Sequence, residues 1–431
     1  MDEKFLHHIW DGLHLNTQLQ TVSGKALRIA YQGQYNTGRG ADFLNAGIVI
    51  DGYALRGDVE IHKQTSDWHT HNHSDDPFYN SVVLHVVYSH NSTHNLTIKE
   101  NGETTEILEL QSQLSQDINK LLEEHKPRLP EVRPSYCDLL SALDRDRLQM
   151  TLKDVGTMRF MGKVRRFNAS LMFSDFDQIL YEGIFEAMGY DKNKTPMLHL
   201  AQELNLAKLL EFKAQGCSNI DILAIVTVAS GILARSGKLI PTSLSEMLQQ
   251  SWQSQKCYTK NLQLDWQLFR IRPANHPIYR ILATLPMCLH YGKDSLLQAM
   301  LSEAHPKLEA PKRIKALQAM FANTVLPGAE KFPQPGKAVL NSLYLNIFLP
   351  IFQLWAEKTN NTELQNDVRE AYQAHPGLAQ NHITRMMGSF TDPQYQKMID
   401  SRAIYQQALI ELHHRYCRFH LCDECFKLRC L

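Results

Sequence analysis

The chain has 431 residues, 43% of them hydrophobic and 21% charged, which is the make-up of an ordinary globular protein long enough for two domains. Lys and Arg number 45 against 45 Asp and Glu, so the formal net charge is +0 and nothing favours broad, non-specific nucleic-acid binding, although a local basic patch remains compatible with that balance. The acidic, amphipathic start lacks the basic-then-apolar order of a secretory signal, and no stretch has the ~18 uninterrupted apolar residues of a membrane span. The richest run, 220–233, is too short and carries Asp221, so a cytoplasmic protein with no membrane partner is expected.

Apolar residues at Phe5, Leu6, Ile9, Trp10 and Leu13 have helical spacing over 3–14. The period then changes. Residues 26–31 read as a strand ended by the turn-rich 33–40, and 43–50 as a second strand closed by Asp51-Gly52, a hairpin signal. Residues 53–62 form a third strand. A loop follows, then a short helix near 76–80, a buried strand over 82–88 and a hairpin over 96–110 around Asn101-Gly102. Three prolines, Pro127, Pro130 and Pro134, make 126–137 a linker between a domain at 1–125 and a second at 138–431. The second domain reads as mainly helical, with runs at 220–233, 338–355 and 395–414 and a helix opened by Ser243 with Glu246 as capping-box partner.

The chemistry concentrates on the third strand. In Gly57-Asp58-Val59-Glu60-Ile61-His62, Val59 and Ile61 point one way and Asp58, Glu60 and His62 the other, roughly 6–7 Å apart. The histidine-rich Asp67-Trp68-His69-Thr70-His71-Asn72-His73 follows at once. Carboxylates beside imidazoles suit a divalent metal or a hydrolytic site. The plainer readings are a solvated edge-strand face, polar loop histidines, and a satisfied core histidine at His85.

The order helix, three strands, short helix, strand resembles the PD-(D/E)xK nuclease superfamily and its restriction-endonuclease-like αβββαβ core. Gly40-Ala41-Asp42-Phe43 stands where that family has Pro-Asp, and Glu60-Ile61-His62 where it has Glu-x-Lys. The resemblance implies an α+β domain in which Asp42 and Glu60 hold Mg²⁺ or Mn²⁺, with Glu3 as a further carboxylate. His62 would then help activate water in place of the family's Lys, since Lys63 is one residue out of phase. Trp68-His69-x-His71 is similar to a segment of very-short-patch repair endonucleases and makes His69, His71 or His73 a proton-transfer candidate.

Four cysteines, Cys417-x₄-Cys422-x₂-Cys425-x₄-Cys430, crowd the last residues, whereas Cys137, Cys217, Cys257 and Cys288 stand apart. In a reducing compartment that cluster, within a locally basic 415–431, reads as a metal site. Its spacing suits a [4Fe–4S] cluster or Zn²⁺, with His420 as an alternative ligand, and resembles the terminal cluster loop of base-excision glycosylases and the cluster staple of helicase-linked recombination nucleases.

Segments from Gly40-Ala41-Asp42-Phe43 through Asp76-Pro77-x-Tyr79-Asn80 and Arg270-x-Arg272-Pro273-x-Asn275-x-Pro277 to Tyr416-Cys417 also resemble a bacterial family catalogued only as a domain of unknown function. Arg270, Arg272 and Arg280 would bind phosphate or pair with buried acids. Three functions follow as expectations. The first is a metal-dependent nuclease acting on DNA or RNA. The second is an inactive nuclease-like binding module or scaffold, and the third a zinc hydrolase of another class using His62, His71 and His73.

Overall fold

The computed structural model describes residues 2–124, 137–190, 192–325 and 332–430, without the side chains of Arg429 and Cys430. The expected linker, apart from Cys137, lies outside those residues. The chain divides into two compact units, one of residues 1–173, 381–397 and 407–431 and one of residues 174–380 and 398–406.

The first unit is built on a mixed sheet. Helix α1 (Glu3–Gly12) buries the expected Phe5, Leu6, Ile9 and Trp10, and ends where Leu13 takes a left-handed φ of 51°. The eight strands are β1 (Leu19–Gln20), β2 (Ala26–Tyr31), β3 (Gln34–Tyr35), β4 (Phe43–Ile50), β5 (Tyr53–Gln64), β6 (Val82–Ser89), β7 (Leu96–Ile98) and β8 (Thr104–Glu109). They lie in the order β1-β2-β4-β5-β6-β8-β7, with β3 also pairing with β4. β2, β4 and β5 are mutually antiparallel, because the Asp51-Gly52 turn has both residues at positive φ and joins β4 to β5 without a splay. β5 and β6 run parallel, which requires the crossover that the short helix α2 (Asp67–Thr70) and the turns after it provide.

Three features differ from the sequence reading. β1 and β3 have two residues each, too few to show a period. α2 occupies a stretch expected as loop. β8 pairs with β7 as the hairpin requires, and also lies parallel beside β6, so the hairpin extends the sheet.

Period two divides β5. Val59 and Ile61 enter one core with Leu6, Ile9, Trp10 and Phe43, and Trp10 donates its indole N–H to the Gln32 carbonyl at 2.9 Å. Complete burial of side chains such as Leu6, Ile9 and Phe43 contributes roughly 1.5–3 kcal/mol each. That is comparable to the ~1–3 kcal/mol cost of each buried polar group left unpaired, so α1's packing offsets an unfavourable opposite face. There a small apolar cluster of Ala41, Trp68 and Val82, with Tyr79 against it, underlies the polar residues.

The second unit is helical. The run 220–233 is realised as Asn219–Ala229, capped by a Ser218–Asp221 capping box. The capping box expected at Ser243 and Glu246 is absent, because the helix there begins at Thr242 behind Pro241 and has no side-chain cap. The run 395–414 is broken into Gln396–Ser401 and Ala403–Arg415. Lys337–Lys358 is long and apolar enough to cross a membrane by length and composition, but 61% of its apolar window is buried within the protein. Cys217 and Cys257, expected to stand alone, form a disulfide.

β5 approaches β6 closely at Gly57. A Cβ there would meet the Ser81 carbonyl oxygen and a Val83 methyl, both at 2.4 Å. Gly57→Ala is therefore expected to destabilise the protein by ~1–3 kcal/mol through forced displacement of the strands. Urea denaturation with an unchanged m-value checks this, and an unshifted midpoint contradicts it.

Candidate functional site

The loop before β4 is fixed by its own hydrogen bonds. Asn36 Nδ2 donates to the carbonyls of Arg39 at 3.1 Å and Ala41 at 2.9 Å, and Gly40 turns the chain at φ 93°. Arg39 lies over the Phe78 ring at 3.9 Å and pairs with Asp76 at 3.1 Å, tying this loop to the segment after α2. Asp42 is thereby held opposite β5. Its backbone N–H donates to Glu60 Oε2 at 3.0 Å, and its Oδ2 accepts the Ile61 N–H at 3.0 Å. The two carboxyl groups expected to meet are reciprocally locked.

The face carrying Glu60 is not solvated. Asp58, Glu60 and His62 are 5%, 6% and 1% exposed, which removes the solvated-face reading. Asp58 has a structural task, accepting from the Asn45 N–H at 2.8 Å and the Ser81 hydroxyl at 2.6 Å. Glu60 turns into the site, its Oε1 lying 3.4 Å from His62 Nε2 and 3.2 Å from His73 Nε2. His62 Nε2 is also 3.1 Å from His71 Nδ1. One ligand atom from each of His62, His71 and His73 lies within 4.8 Å of the others, a spacing that a single metal ion can bridge. Asn72, at φ 60°, turns the chain between His71 and His73 so that both face His62.

Behind His62 runs a buried chain of partners. His62 Nδ1 is 2.9 Å from His85 Nε2, and His85 Nδ1 is 2.8 Å from the Thr97 hydroxyl. His85 is therefore a satisfied core histidine, as its apolar strand suggested, and it also fixes the His62 ring. With His62 Nδ1–H donating to His85, the His62 Nε2 lone pair faces the site, which is the usual support for a metal-bound imidazole. His73 stacks on Tyr79 at 3.7 Å, and Trp68 lies 5.5 Å from His73 and 5.1 Å from His85.

α1 completes the site. His7 Nε2 is 3.3 Å from Asp42 Oδ2, and Glu3, one turn earlier on the same face, feels the charges of His7, Asp42 and His71. His7 and Tyr79 were missed from sequence. The only signal for His7 was its i+4 relation to Glu3.

The electrostatics are those of an acid cluster short of positive charge. Burial, and then the Asp42 charge, pushes the Glu60 carboxyl up to about 9. Burial, followed by the His85 and His73 rings, pushes His62 down to about 2, and burial then His73 push His85 down to about 3. Burial also lowers His73 and raises Glu3 and Tyr79. The site is thus neutral imidazoles around a protonated acid, the form in which lone pairs remain available. His7 Nε2 and His73 Nε2 lie within 3.3 Å of carboxylate oxygens yet off the hydrogen-bonding direction, and both are buried without a hydrogen-bond partner. A divalent cation among these groups would satisfy both nitrogens and displace the Glu60 proton. The residues present fit such an ion.

The remaining expected residues are placed elsewhere. His69 is exposed and bonded to the Ser74 hydroxyl at 2.7 Å, outside the ligand cluster. Arg270, Arg272 and Arg280 belong to the second unit. Arg270 and Arg272 are exposed, whereas Arg280 is buried, donates to Asn275 Oδ1 at 2.7 Å and lies over the Tyr190 ring, which is a packing role. Cys417, Cys422 and Cys425 carry no disulfide, and the Cys430 side chain lies outside the description.

The chain belongs to the family described as Protein of unknown function (DUF2851), whose model matches residues 3–379. The match takes in the whole site and ends before the terminal cysteines. No curated protein and no solved structure matches the chain.

Glu60→Gln tests the electrostatics, since it keeps an acceptor for the Asp42 N–H. A glutamate with an unfolded pKa of ~4.3 that is raised to about 9 on folding contributes most stability below ~4.3 and loses it as pH rises toward about 9. Chelator-treated wild type should therefore weaken from about pH 5 to about pH 8.5 relative to the Gln variant, by ~2–5 kcal/mol. A pH-independent difference in denaturation free energy contradicts the raised pKa.

Proposed function

We propose that the protein is a divalent-cation-dependent phosphodiesterase acting on nucleic acid, with the cation held by Asp42 and Glu60. The observation that carries this reading is the reciprocal lock of Asp42 and Glu60 on neighbouring strands, where Glu60 must hold either a proton or a cation. Support for the substrate class comes from topology. The order α1, β2, β4, β5, α2, β6, with β4 antiparallel to both neighbours and β5 parallel to β6, fits the αβββαβ nuclease core. Asp42 immediately before β4 and Glu60 on β5 stand where that superfamily holds Mg²⁺ or Mn²⁺.

When bound, the cation supplies Lewis acidity at a phosphodiester oxygen and lowers the pKa of water. The chain's own groups do the rest. Asp42 and Glu60 provide hard oxygen ligands. His62 stays neutral down to about 2, so its Nε2 lone pair is open to a water or an ion at any working pH. His71, exposed and 3.1 Å from His62, is the group placed to carry a proton to solvent. His85 and Thr97 hold the His62 ring in orientation.

A second reading has a specific observation behind it. Three imidazoles with ligand atoms within 4.8 Å of one another are a set suited to Zn²⁺, and a zinc hydrolase of another class would use them without needing Asp42.

Cleavage of single-stranded, duplex and branched DNA and RNA with Mg²⁺, Mn²⁺ or Zn²⁺ separates the readings. The nuclease reading expects Asp42→Asn and Glu60→Ala each to lose ~10³-fold or more in rate, since removing a metal ligand costs several kcal/mol of transition-state stabilisation. It also expects His71→Ala to keep Mn²⁺ while losing ~10²-fold in rate. The zinc reading expects His71→Ala to lose the metal and Asp42→Asn to keep it. A purified protein that binds Mn²⁺ but cleaves none of these substrates is a binding module, and the enzymatic reading then fails.

A further inference from the structure

The terminal cysteines have a fourth neighbour that their spacing did not reveal. Cys137 immediately precedes the short helix α4 (Asp138–Ala142; label α3 is kept for Ile118–Glu124), and α4 packs against the helix Cys422–Phe426. Cys422 and Cys425 are i and i+3 on that helix and so share a face. His420, at φ 58°, reverses the chain between Cys417 and Cys422, which brings the preceding turn back over the helix. Cys425 is 5% exposed and the other three are half-buried, and none of the four is in a disulfide.

The sulfurs sense one another. Cys417 is pushed up to about 12 by burial, and then by the charges of Cys137 and Cys422. Cys425 is raised by burial and then by Cys137, Cys417 and Cys422, and Cys137 by burial and also by Cys422. Buried thiols raised by one another are inert as nucleophiles, and they become thiolates only when a cation compensates them.

We propose that Cys137, Cys417, Cys422 and Cys425 form a four-thiolate metal centre that takes Zn²⁺ or a [4Fe–4S] cluster, with Cys430 outside the ligand set. The centre joins the start of the α4 segment to the tail of the same unit. That tail is already fixed to α1, where Arg418 donates to Asp11 at 2.7 Å and Phe419 lies 5.5 Å from the His8 ring. The expected ligand set of four tail cysteines is thereby revised. Three come from the tail and one lies far upstream in sequence, which closes a long loop and constrains the unfolded chain accordingly. The inference does not depend on the nuclease reading.

The test uses the full chain purified without oxygen, in a His71→Ala/His73→Ala background that removes the other candidate metal site. Elemental analysis is expected to show about one zinc per chain, or iron and sulfide at about four each per chain with visible charge-transfer absorbance. Either composition supports the centre and identifies its occupant. Cys137→Ser should lose that metal and Cys430→Ser should retain it. In case a variant fails to fold, alkylation of the parent protein followed by peptide mapping gives the same answer. Cys137, Cys417 and Cys422 should be protected until the metal is stripped, while Cys430 is labelled throughout. A metal-free protein, labelling of Cys137 with the metal in place, or loss of metal on Cys430→Ser rather than Cys137→Ser overturns the proposal.

Discussion

The structure of the first unit depends on the burial of one carboxyl group beside another. Glu60 is almost wholly removed from water, its nearest charge is Asp42, and the rings around it are themselves held neutral by burial. Two anions so placed cannot both persist, so the pair must carry either a shared proton or a cation. A fold selected for stability alone would fill this position with a hydrocarbon at no electrostatic cost. The burial of α1 on the other face of β5 is what keeps the arrangement in place.

A single strand with period two therefore serves both needs. Val59 and Ile61 anchor the sheet to α1, and Glu60 and His62, between and beyond them, are presented to the chemistry on the far side. The parallel neighbour β6 supplies His85 as the rigid support of His62, and the crossover between β5 and β6 supplies His71, His73, Trp68 and Tyr79. Such a site depends on several segments, but only the crossover and the loop before β4 are irregular. Both are tied down, by the Arg39–Asp76 pair and by the stacking of His73 on Tyr79. The reacting groups are thus held by scaffold strands and cross-linked loops, which limits their freedom before any ligand arrives.

Much of this was legible in the sequence. Period-two patterning and the Asp51-Gly52 turn placed β4 and β5, and with them the adjacency of Asp42 and Glu60. The alternation of β5 also identified the polar face, although whether water covered that face could not be read from one strand. Burial comes from the crossover, whose compact turns have no periodic signature. His7 was hidden for a similar reason, because it lies among the apolar residues of α1 and acquires its partner only through tertiary packing. Cys137 illustrates the limit most clearly. Spacing within the tail suggested a self-contained set of four, whereas the nearest upstream sulfur is brought in by helix packing that no local pattern encodes.

The central claim is that Asp42 and Glu60 share a hard cation in place of the Glu60 proton. A crystal grown at neutral pH and soaked in Mn²⁺ tests it directly, through the anomalous signal of the ion. The account predicts a peak roughly 2.0–2.6 Å from carboxylate oxygens of both residues, within the range of hard-cation coordination. A fully soaked crystal with no peak between them, and with Glu60 still accepting from the Asp42 N–H as a neutral acid, would contradict it.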